Sequence, residues 1–191
     1  DGRRREVFCL VGESGCGKTT TARCILRLID ATKGTINFRE DGGTVDLCSA
    51  GRKEIRRIRP KIQLIFQDPY ESIDPRMSVL EILTEPLEVN NVAQSRRERE
   101  ERAYKALEDV RLLPPLEFAR RFPHELSGGM MQRVAVARAL SAGAKLLLLD
   151  EPLGALDAKI RLELRSEIRK LVGDLGLTAI HVTHDQSEAM A

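Results

Sequence analysis

The stretch GESGCGKTT, residues 12–20, constrains the possible folds of this chain more than any other feature. It follows the short apolar run VFCLV (residues 7–11) and precedes TARCILRLI, whose apolar residues recur at helical spacing. The order is therefore strand, glycine-rich loop and helix. Its glycines and Lys18 fit the G-x-x-x-x-G-K-[ST] pattern of a phosphate-binding loop, which predicts an α/β fold with a mostly parallel sheet.

The chemistry of this loop predicts that a nucleotide binds through its phosphates. Glycines let backbone N–H groups turn toward phosphate oxygens, and the helix that follows adds its positive end. Lys18 is expected to reach the β- and γ-phosphates, and Thr19 to supply a hydroxyl to Mg²⁺. The alternative is a glycine-rich turn with an exposed lysine. The predicted nucleotide-binding residues are Gly12, Ser14, Gly15, Cys16, Gly17, Lys18, Thr19 and Thr20.

Composition narrows the class of protein. With 191 residues, of which 42% are hydrophobic and 31% charged, the chain can bury one sizeable core and a small subdomain. Its longest aliphatic run, LLLL at residues 146–149, is far shorter than the roughly 20 residues of a spanning helix. The net charge of +2 gives no basic excess of the kind that marks a nucleic-acid binder. Four cysteines without CxxC pairs argue against a zinc site or a disulfide framework, and favour the cytosol.

Further patterns divide the chain. Short strand-like pieces, GTINF, GTVDL and KIQLIF, come before residue 70. The sequence pattern from Tyr70 to Leu126 is typical of helices. SVLE (residues 78–81) and SRRE (residues 95–98) both fit the capping box at a helix start. We therefore predict an ATPase core of residues 1–69 and 127–191, interrupted by a helical subdomain of residues 70–126.

Two acids close a predicted buried strand. KLLLLDEP ends in Asp150 and Glu151, at the strand end where a parallel sheet presents its ligands. Asp150 is placed to hold Mg²⁺ through water, and Glu151 to polarise an attacking water. The alternative is an ordinary strand-terminal turn. A helix with an apolar face over residues 160–175 follows, and TAIHVTHD is predicted to be a strand ending at His184.

One segment carries a family resemblance. LSGGMMQRVAVARAL resembles the signature motif of ATP-binding cassette (ABC) ATPases, and it precedes LLLLDEP by one helix, as in that family. The other motifs follow in the family's order: the phosphate loop, Gln67, the signature at residues 127–129, the two acids, ALD at residues 155–157 and His184. The resemblance covers nearly the whole chain and implies a P-loop NTPase core with an inserted helical subdomain.

The resemblance also implies roles for single residues. Gln67 would reach Mg²⁺ and the attacking water, and His184 would contact the γ-phosphate. Two such chains would form a head-to-tail dimer, in which the signature of one subunit closes over the ATP of the other. The residues expected to act in this way are Ser127, Gly128, Gly129 and Asp157. Alternatives are an ordinary helix cap for Ser127 and a solvated or buried histidine for His184; His124 and His181 are expected to be structural.

The chain departs from the family's pattern in two places. Met130 stands where the signature usually continues with glutamine, and it offers no hydrogen bond to an opposing nucleotide. The family places an adenine-stacking aromatic residue upstream of the phosphate loop, whereas Phe8 lies in the predicted strand. The sequence also stops just after His184, so we expect a fragment or a short member with low nucleotide affinity.

The resemblance finally implies a transport ATPase at the inner face of the cell membrane, paired with a second ATPase subunit and with permease subunits from other chains. IFQDPYESIDPRMSV looks like importers of oligopeptides, dipeptides and nickel, whereas LDAKIRLELRSEI and VTHDQSEAMA look like importers of sugars, polyamines and other small solutes. The solute therefore stays open at this point. The alternative function is a soluble cassette that acts on nucleic acid, ribosomes or another enzyme; a phosphate-loop kinase would not need LSGG or ALD.

Overall fold

The computed structural model describes residues 7–13, 15–40, 42–65, 73–150 and 170–183. Strands and helices follow one another along the chain, with 3-10 turns at residues 59–61 and 123–125. The strands are β1 (Val7–Val11), β2 (Asn37–Glu40), β3 (Gly43–Asp46), β4 (Ile62–Ile65), β5 (Leu146–Asp150) and β6 (Thr178–Thr183). The helices are α1 (Lys18–Ile25), α2 (Arg52–Ile58), α3 (Val79–Val89), α4 (Arg96–Asp109), α5 (Pro115–Ala119) and α6 (Gly128–Ser141).

Four of the described strands form a parallel sheet in the order β1-β6-β5-β4, and β2 and β3 form a separate antiparallel hairpin. Strand β5 is interior to the sheet, and Leu147 and Leu148 are fully buried. A strand covered on both faces has no side that favours polar residues, which explains its unbroken leucines. The mostly parallel sheet agrees with the prediction.

The register aligns the carboxyl ends of the strands. Val11 pairs with Thr183, Asp150 pairs with Val182, and Ile65 pairs with Leu149. All four strands therefore end at the same edge of the sheet, which is where an open parallel sheet holds its ligands.

Helices α3, α4 and α5 pack on one another, and α3 and α4 also pack on α6. The capping box at Ser78 is complete, because the Ser78 hydroxyl accepts from the Glu81 N–H and the Glu81 carboxylate accepts from the Ser78 N–H. The second box forms only in part. Ser95 accepts from the Glu98 N–H, but the Glu98 carboxylate accepts from the backbone N–H of Gln94 instead.

The main core joins the helices to the sheet. Buried Leu83, Leu107 and Met131 belong to the same cluster as Leu147 and Ala179 of the sheet. Helix α4 contributes Leu107, which is fully buried within this cluster. The helical segment is thus fixed to the sheet by shared apolar packing.

One carboxylate of the β2–β3 hairpin binds both α2 and the turn that follows it. Glu40, whose side chain is 9% exposed, accepts hydrogen bonds from Lys61 and from Arg57, the latter at 2.5 Å. The hydrogen bond from Lys61, together with that from Arg57, holds the pKa of Glu40 below its usual range.

The lowered pKa predicts how stability responds to acid. A carboxylate whose pKa is lower in the folded state contributes stability above its unfolded pKa, and the contribution disappears as the pH falls through the folded value. Glu40→Gln is therefore expected to lower the free energy of unfolding by about 1–2 kcal/mol at neutral pH and by less in acid. Thermal unfolding of both proteins from pH 7 down to pH 3 checks this. The matched control is Glu101→Gln on the exposed face of α4, and an equal loss at both ends of the pH range would contradict the prediction.

Candidate nucleotide-binding site

The loop between β1 and α1 has a backbone that its glycines permit. Gly15 and Gly17 have φ values of 81° and 97°, in the left-handed region that favours glycine. Gly12 is required for another reason, since a Cβ at this position would lie 2.5 Å from the sulfur of Cys16. The Cys16 N–H donates to the carbonyl of Glu13 at 3.3 Å, which closes the loop.

Helix α1 begins without a capping side chain. Gly17 is its N-cap residue, and the first turn contains no acid. Lys18, Thr19 and Thr20 form that turn, so the positive end of the helix is directed at the loop. An uncapped helix start behind a glycine-rich loop is suited to an anion such as phosphate.

Lys18 is 7% exposed, and its ammonium is held by the loop itself. The Nζ atom donates to the carbonyls of Gly12 and Glu13, each at 2.8 Å, and lies 3.8 Å from the sulfur of Cys16. Both oxygen acceptors are neutral, and no carboxylate of the described residues forms an ion pair with Lys18. Within the described residues, the contacts of the Lys18 ammonium are thus with neutral groups of the loop.

The residues around the loop fit a nucleotide with its magnesium ion. A Cβ at Gly15 or Gly17 would meet nothing within 4 Å, so the loop presents its backbone to open space. The Thr19 hydroxyl and the Asp150 carboxylate are oxygen donors, which are the ligands that Mg²⁺ prefers. These donor types, together with a lysine that has no carboxylate partner among the described residues, are consistent with Mg²⁺ and a triphosphate.

The strands that precede the predicted motifs end at one edge of the sheet. The phosphate loop leaves β1, Asp150 ends β5, and both strands pair with β6. Gln67 and His184 come two residues after β4 and one residue after β6. The predicted site residues that lie outside the described part of the chain are Ser14, Gln67, Glu151, Asp157 and His184.

The predicted signature forms the start of helix α6. Ser127 is its N-cap, with an extended backbone, and its hydroxyl accepts from the Met130 N–H at 3.4 Å. Gly128 and Gly129 are the first two helical residues, and the first turn has no acid. The capping role of Ser127 is present in the single chain. This cap is compatible with a second role in binding an anion, because the two glycines have no side chains that would cover the backbone N–H groups of this turn.

Neighbouring helices hold α6 in place. Arg138 donates to the Glu85 carboxylate of α3 at 2.7 Å, and the Ser141 hydroxyl donates to the Leu83 carbonyl at 2.9 Å. Met131 and Val134 of α6 are fully buried in the main core. The signature is therefore the start of a rigid helix and not part of a free loop.

Met130 makes an apolar contact at a position where a glutamine could make a polar one. Its side chain is partly buried and packs against the main core. A glutamine there could have returned a bond to Ser127, whereas the methionine leaves only the bond from its backbone N–H to the serine.

The remaining candidates play structural parts. His181 is buried on β6, and the ring of His124 stacks on Phe122 with centroids 5.8 Å apart. Phe8 lies in β1, as predicted. Among the described residues there is no cluster of three or more side chains that could hold a metal ion. None of the helices described in this structure has the length and apolar character needed to cross a bilayer.

Sequence reasoning missed two contacts at the site. The contact between Gly12 and the sulfur of Cys16 has no signal in the phosphate-loop pattern, in which the cysteine position is unrestricted. The bond from Arg138 to Glu85 joins residues that are 53 positions apart, so only the presence of opposite charges could have suggested it.

The close approach of Gly12 to Cys16 gives a testable prediction. Gly12→Ala is expected to weaken ATP binding about tenfold, because the added methyl group pushes the sulfur toward Lys18 and distorts the loop. In a Cys16→Ala background the same substitution should cost less than half as much binding free energy. Calorimetric titration of the four proteins of this double-mutant cycle measures the coupling.

A matched control uses another glycine. A Cβ at Gly51 would meet nothing within 4 Å, so Gly51→Ala is expected to leave ATP affinity unchanged. Equal losses for Gly12→Ala in both backgrounds would show that the sulfur is not the cause.

Known proteins are similar to this chain in sequence. Residues 2–154 match the family model described as ABC transporter. The oligopeptide transport ATP-binding protein OppF of Bacillus subtilis is 42% identical over 182 residues, which are 95% of this chain and 58% of that protein. The putative peptide import ATP-binding protein BOV_A0347 of Brucella ovis is 47% identical over 182 residues, which are 95% of this chain and 55% of that protein. The chain thus spans a little more than half the length of these relatives.

Solved structures share the fold. A dimeric structure of the ATP-binding cassette MJ0796, in a post-hydrolysis state bound to ADP and Pi, has a TM-score of 0.72 and 34% identity; the match covers 97% of this chain and 77% of that one. A second dimeric structure of MJ0796, described as a bacterial ABC transporter cassette, has a TM-score of 0.73 with the same identity and coverage. These matches confirm the predicted ABC ATPase fold. By the family model, by the identity to these relatives and by its fold, the chain belongs to the ABC transporter family.

Proposed function

We propose that this chain is the nucleotide-binding part of an ATP-hydrolysing subunit of an ABC transporter that imports peptides. The observation that carries the proposal is the Lys18 ammonium, which rests on two neutral carbonyls of the phosphate loop and has no carboxylate partner in the described residues. The loop opens at the sheet edge where Asp150 ends β5. This arrangement suits the β- and γ-phosphates of ATP.

In the proposed reaction, a water molecule attacks the γ-phosphorus and Glu151 accepts its proton. The bond between the γ-phosphorus and the bridging oxygen of the β-phosphate breaks, and ADP and phosphate are released. Lys18 neutralises charge on the phosphate oxygens, Gln67 orients the water, and His184 contacts the γ-phosphate. The roles of Gln67, Glu151 and His184 come from their positions after the strand ends and from the family pattern.

Mg²⁺ belongs to the same site. Thr19, Gln67 and Asp150 would hold it, and when bound it supplies charge neutralisation on the β- and γ-phosphate oxygens. Among these residues, Thr19 lies in the first turn of α1 and Asp150 ends β5.

A second ATPase subunit completes the proposed site. Ser127, Gly128, Gly129 and Asp157 of one subunit would close over the ATP held by its partner. The exposed N-cap Ser127 and the acid-free, half-buried first turn of α6 support this role, as do the dimers that MJ0796 forms. We also propose that residues 70–126 form a helical subdomain between core segments 1–69 and 127–191. The packing of α3, α4 and α5 on one another supports this division.

Peptides are the proposed solute. The two sequence hints disagreed, and the names of the relatives favour the peptide hint, since OppF and the Brucella ovis protein are named for oligopeptide transport and peptide import. The proposed partners are permease subunits supplied by other chains, and the proposed location is the inner face of the cell membrane.

Uptake in cells tests this function. Cells of the source organism that lack this protein are expected to lose uptake of a labelled oligopeptide and to keep uptake of a labelled sugar. Expression of the wild-type protein should restore peptide uptake, whereas Lys18→Ala should not. Loss of sugar uptake alone would contradict the peptide assignment, and loss of neither would contradict a role in import of these solutes.

A further inference from the structure

Helix α2 and the turn after it carry a concentration of positive charge that the nucleotide site does not use. Of the ten residues 52–61, six are lysine or arginine and one, Glu54, is acidic. The chain as a whole is nearly balanced, with 31 basic and 29 acidic residues. The local excess is therefore a property of this surface and not of the composition.

Three of these cations form one line. Arg52, Arg56 and Arg59 stand at i, i+4 and i+7, and Arg59 continues α2 with helical backbone angles, so the three share one face. We call them the arginine face. All three are exposed, and no carboxylate of the described residues lies within ion-pair distance of any of them. Arg57 and Lys61, by contrast, are engaged by Glu40 on the hairpin side.

Exposed aliphatic side chains lie next to this face. Ile25, Leu26 and Arg27 at the end of α1 line the same crevice as Ile55, Ile58 and Arg59. The next two residues along the chain, Leu28 and Ile29, are 55% and 40% exposed. The acid that follows, Asp30, is paired with Arg27 at 2.9 Å. The surface thus combines unpaired arginines with two aliphatic side chains that reach into solvent.

We propose that this surface binds an anionic phospholipid bilayer directly, with the arginine face on the headgroups and Leu28 and Ile29 at the acyl boundary. Arginines attract anionic headgroups, and aliphatic side chains gain from leaving water, which is the combination found in interfacial membrane segments. Single-stranded nucleic acid would call for exposed aromatic side chains that stack on bases, and the exposed apolar residues here are aliphatic. The proposal does not rest on the transport function, because it needs neither permease nor nucleotide.

Vesicle sedimentation tests the proposal. The protein is expected to sediment with vesicles of phosphatidylcholine mixed with phosphatidylglycerol and to remain in solution with pure phosphatidylcholine. Each arginine near an anionic surface contributes about a fivefold increase in binding, so Arg52→Gln/Arg56→Gln/Arg59→Gln should weaken binding about 100-fold at low salt. Added salt should weaken wild-type binding more than binding of this variant. Leu28→Ser/Ile29→Ser should weaken binding about tenfold and keep the salt dependence.

The matched control removes the same charge elsewhere. Arg96→Gln/Arg97→Gln/Lys105→Gln takes three cations from the exposed side of α4, and binding should change less than threefold. Equal losses for the two triple variants would overturn the proposal, because net charge would then be the cause. Absence of binding to the anionic vesicles would also overturn it, as would arginine-dependent binding of a DNA duplex in place of vesicles.

Discussion

Lys18→Ala is expected to weaken ATP binding at least about 100-fold. The Lys18 ammonium would make charge-assisted bonds to two phosphates, and each such bond contributes about 1.5–3 kcal/mol, so their loss exceeds a 100-fold change in affinity. In the nucleotide-free chain, the ammonium already rests 2.8 Å from the carbonyls of Gly12 and Glu13, so ordering the lysine costs little when the nucleotide binds.

Calorimetric titration with ATP and Mg²⁺ measures this loss. Because Lys18 is nearly buried, circular dichroism and a thermal unfolding curve should accompany the titration, to show that the variant is folded. Lys18→Met, which keeps most of the side-chain volume, provides a second test. Lys105→Ala is the matched control, since Lys105 is an exposed lysine of α4 paired with Asp109. An affinity within threefold of wild type in a folded Lys18 variant would remove the phosphate-loop assignment.

Glu151→Gln is expected to abolish turnover and keep ATP binding. Glutamine is close in shape to glutamate but cannot accept a proton, and loss of a general base typically lowers the rate 10²- to 10⁴-fold. ATP should then remain bound between two subunits, because the step that releases them is blocked. Phosphate release measures the rate, and sedimentation velocity with and without ATP and Mg²⁺ measures the dimer.

The two variants are expected to differ in dimerisation. Lys18→Ala should be a monomer under all conditions, whereas Glu151→Gln should form a dimer only with nucleotide. Glu101→Gln, on the exposed face of α4, controls for removal of one carboxylate. Normal turnover in Glu151→Gln would show that another group accepts the proton. A persistent monomer with ATP bound would mean that closure needs residues beyond this chain.

Local patterns predicted the elements that carry the site. The apolar runs VFCLV and LLLL form β1 and β5. In an α/β fold, a short buried run that ends at a glycine or an acid fits few structures other than a strand. The Ser78 box and the Ser127 cap formed because both depend on neighbours three residues away.

Boundaries were less predictable, because they depend on contacts that the pattern does not contain. GTINF suggested a strand from Gly34, but Gly34 has a φ of 105° and β2 begins at Asn37. The Ile36 N–H donates to the Asp46 carboxylate at 3.0 Å, so a side chain takes the bond that a longer strand would have made.

Contacts between distant segments could not be predicted. Nothing in the sequence shows that Glu40 faces Lys61 or that Arg138 meets Glu85, since opposite charges occur throughout the chain. The position of β6 between β1 and β5 likewise has no local signal, because it depends on how three helix-linked strands pack together.

That strand order has a geometric consequence. Neighbouring strands lie about 4.8 Å apart, so one intervening strand separates the axes of β1 and β5 by about 10 Å. The end of a triphosphate, a metal ion and a water molecule together need a width of this order. Were β1 and β5 directly paired, the phosphate loop and the end of β5 would be only about 4.8 Å apart. The inserted strand thus sets the width of the proposed site through backbone hydrogen bonds, independently of side-chain packing on either face.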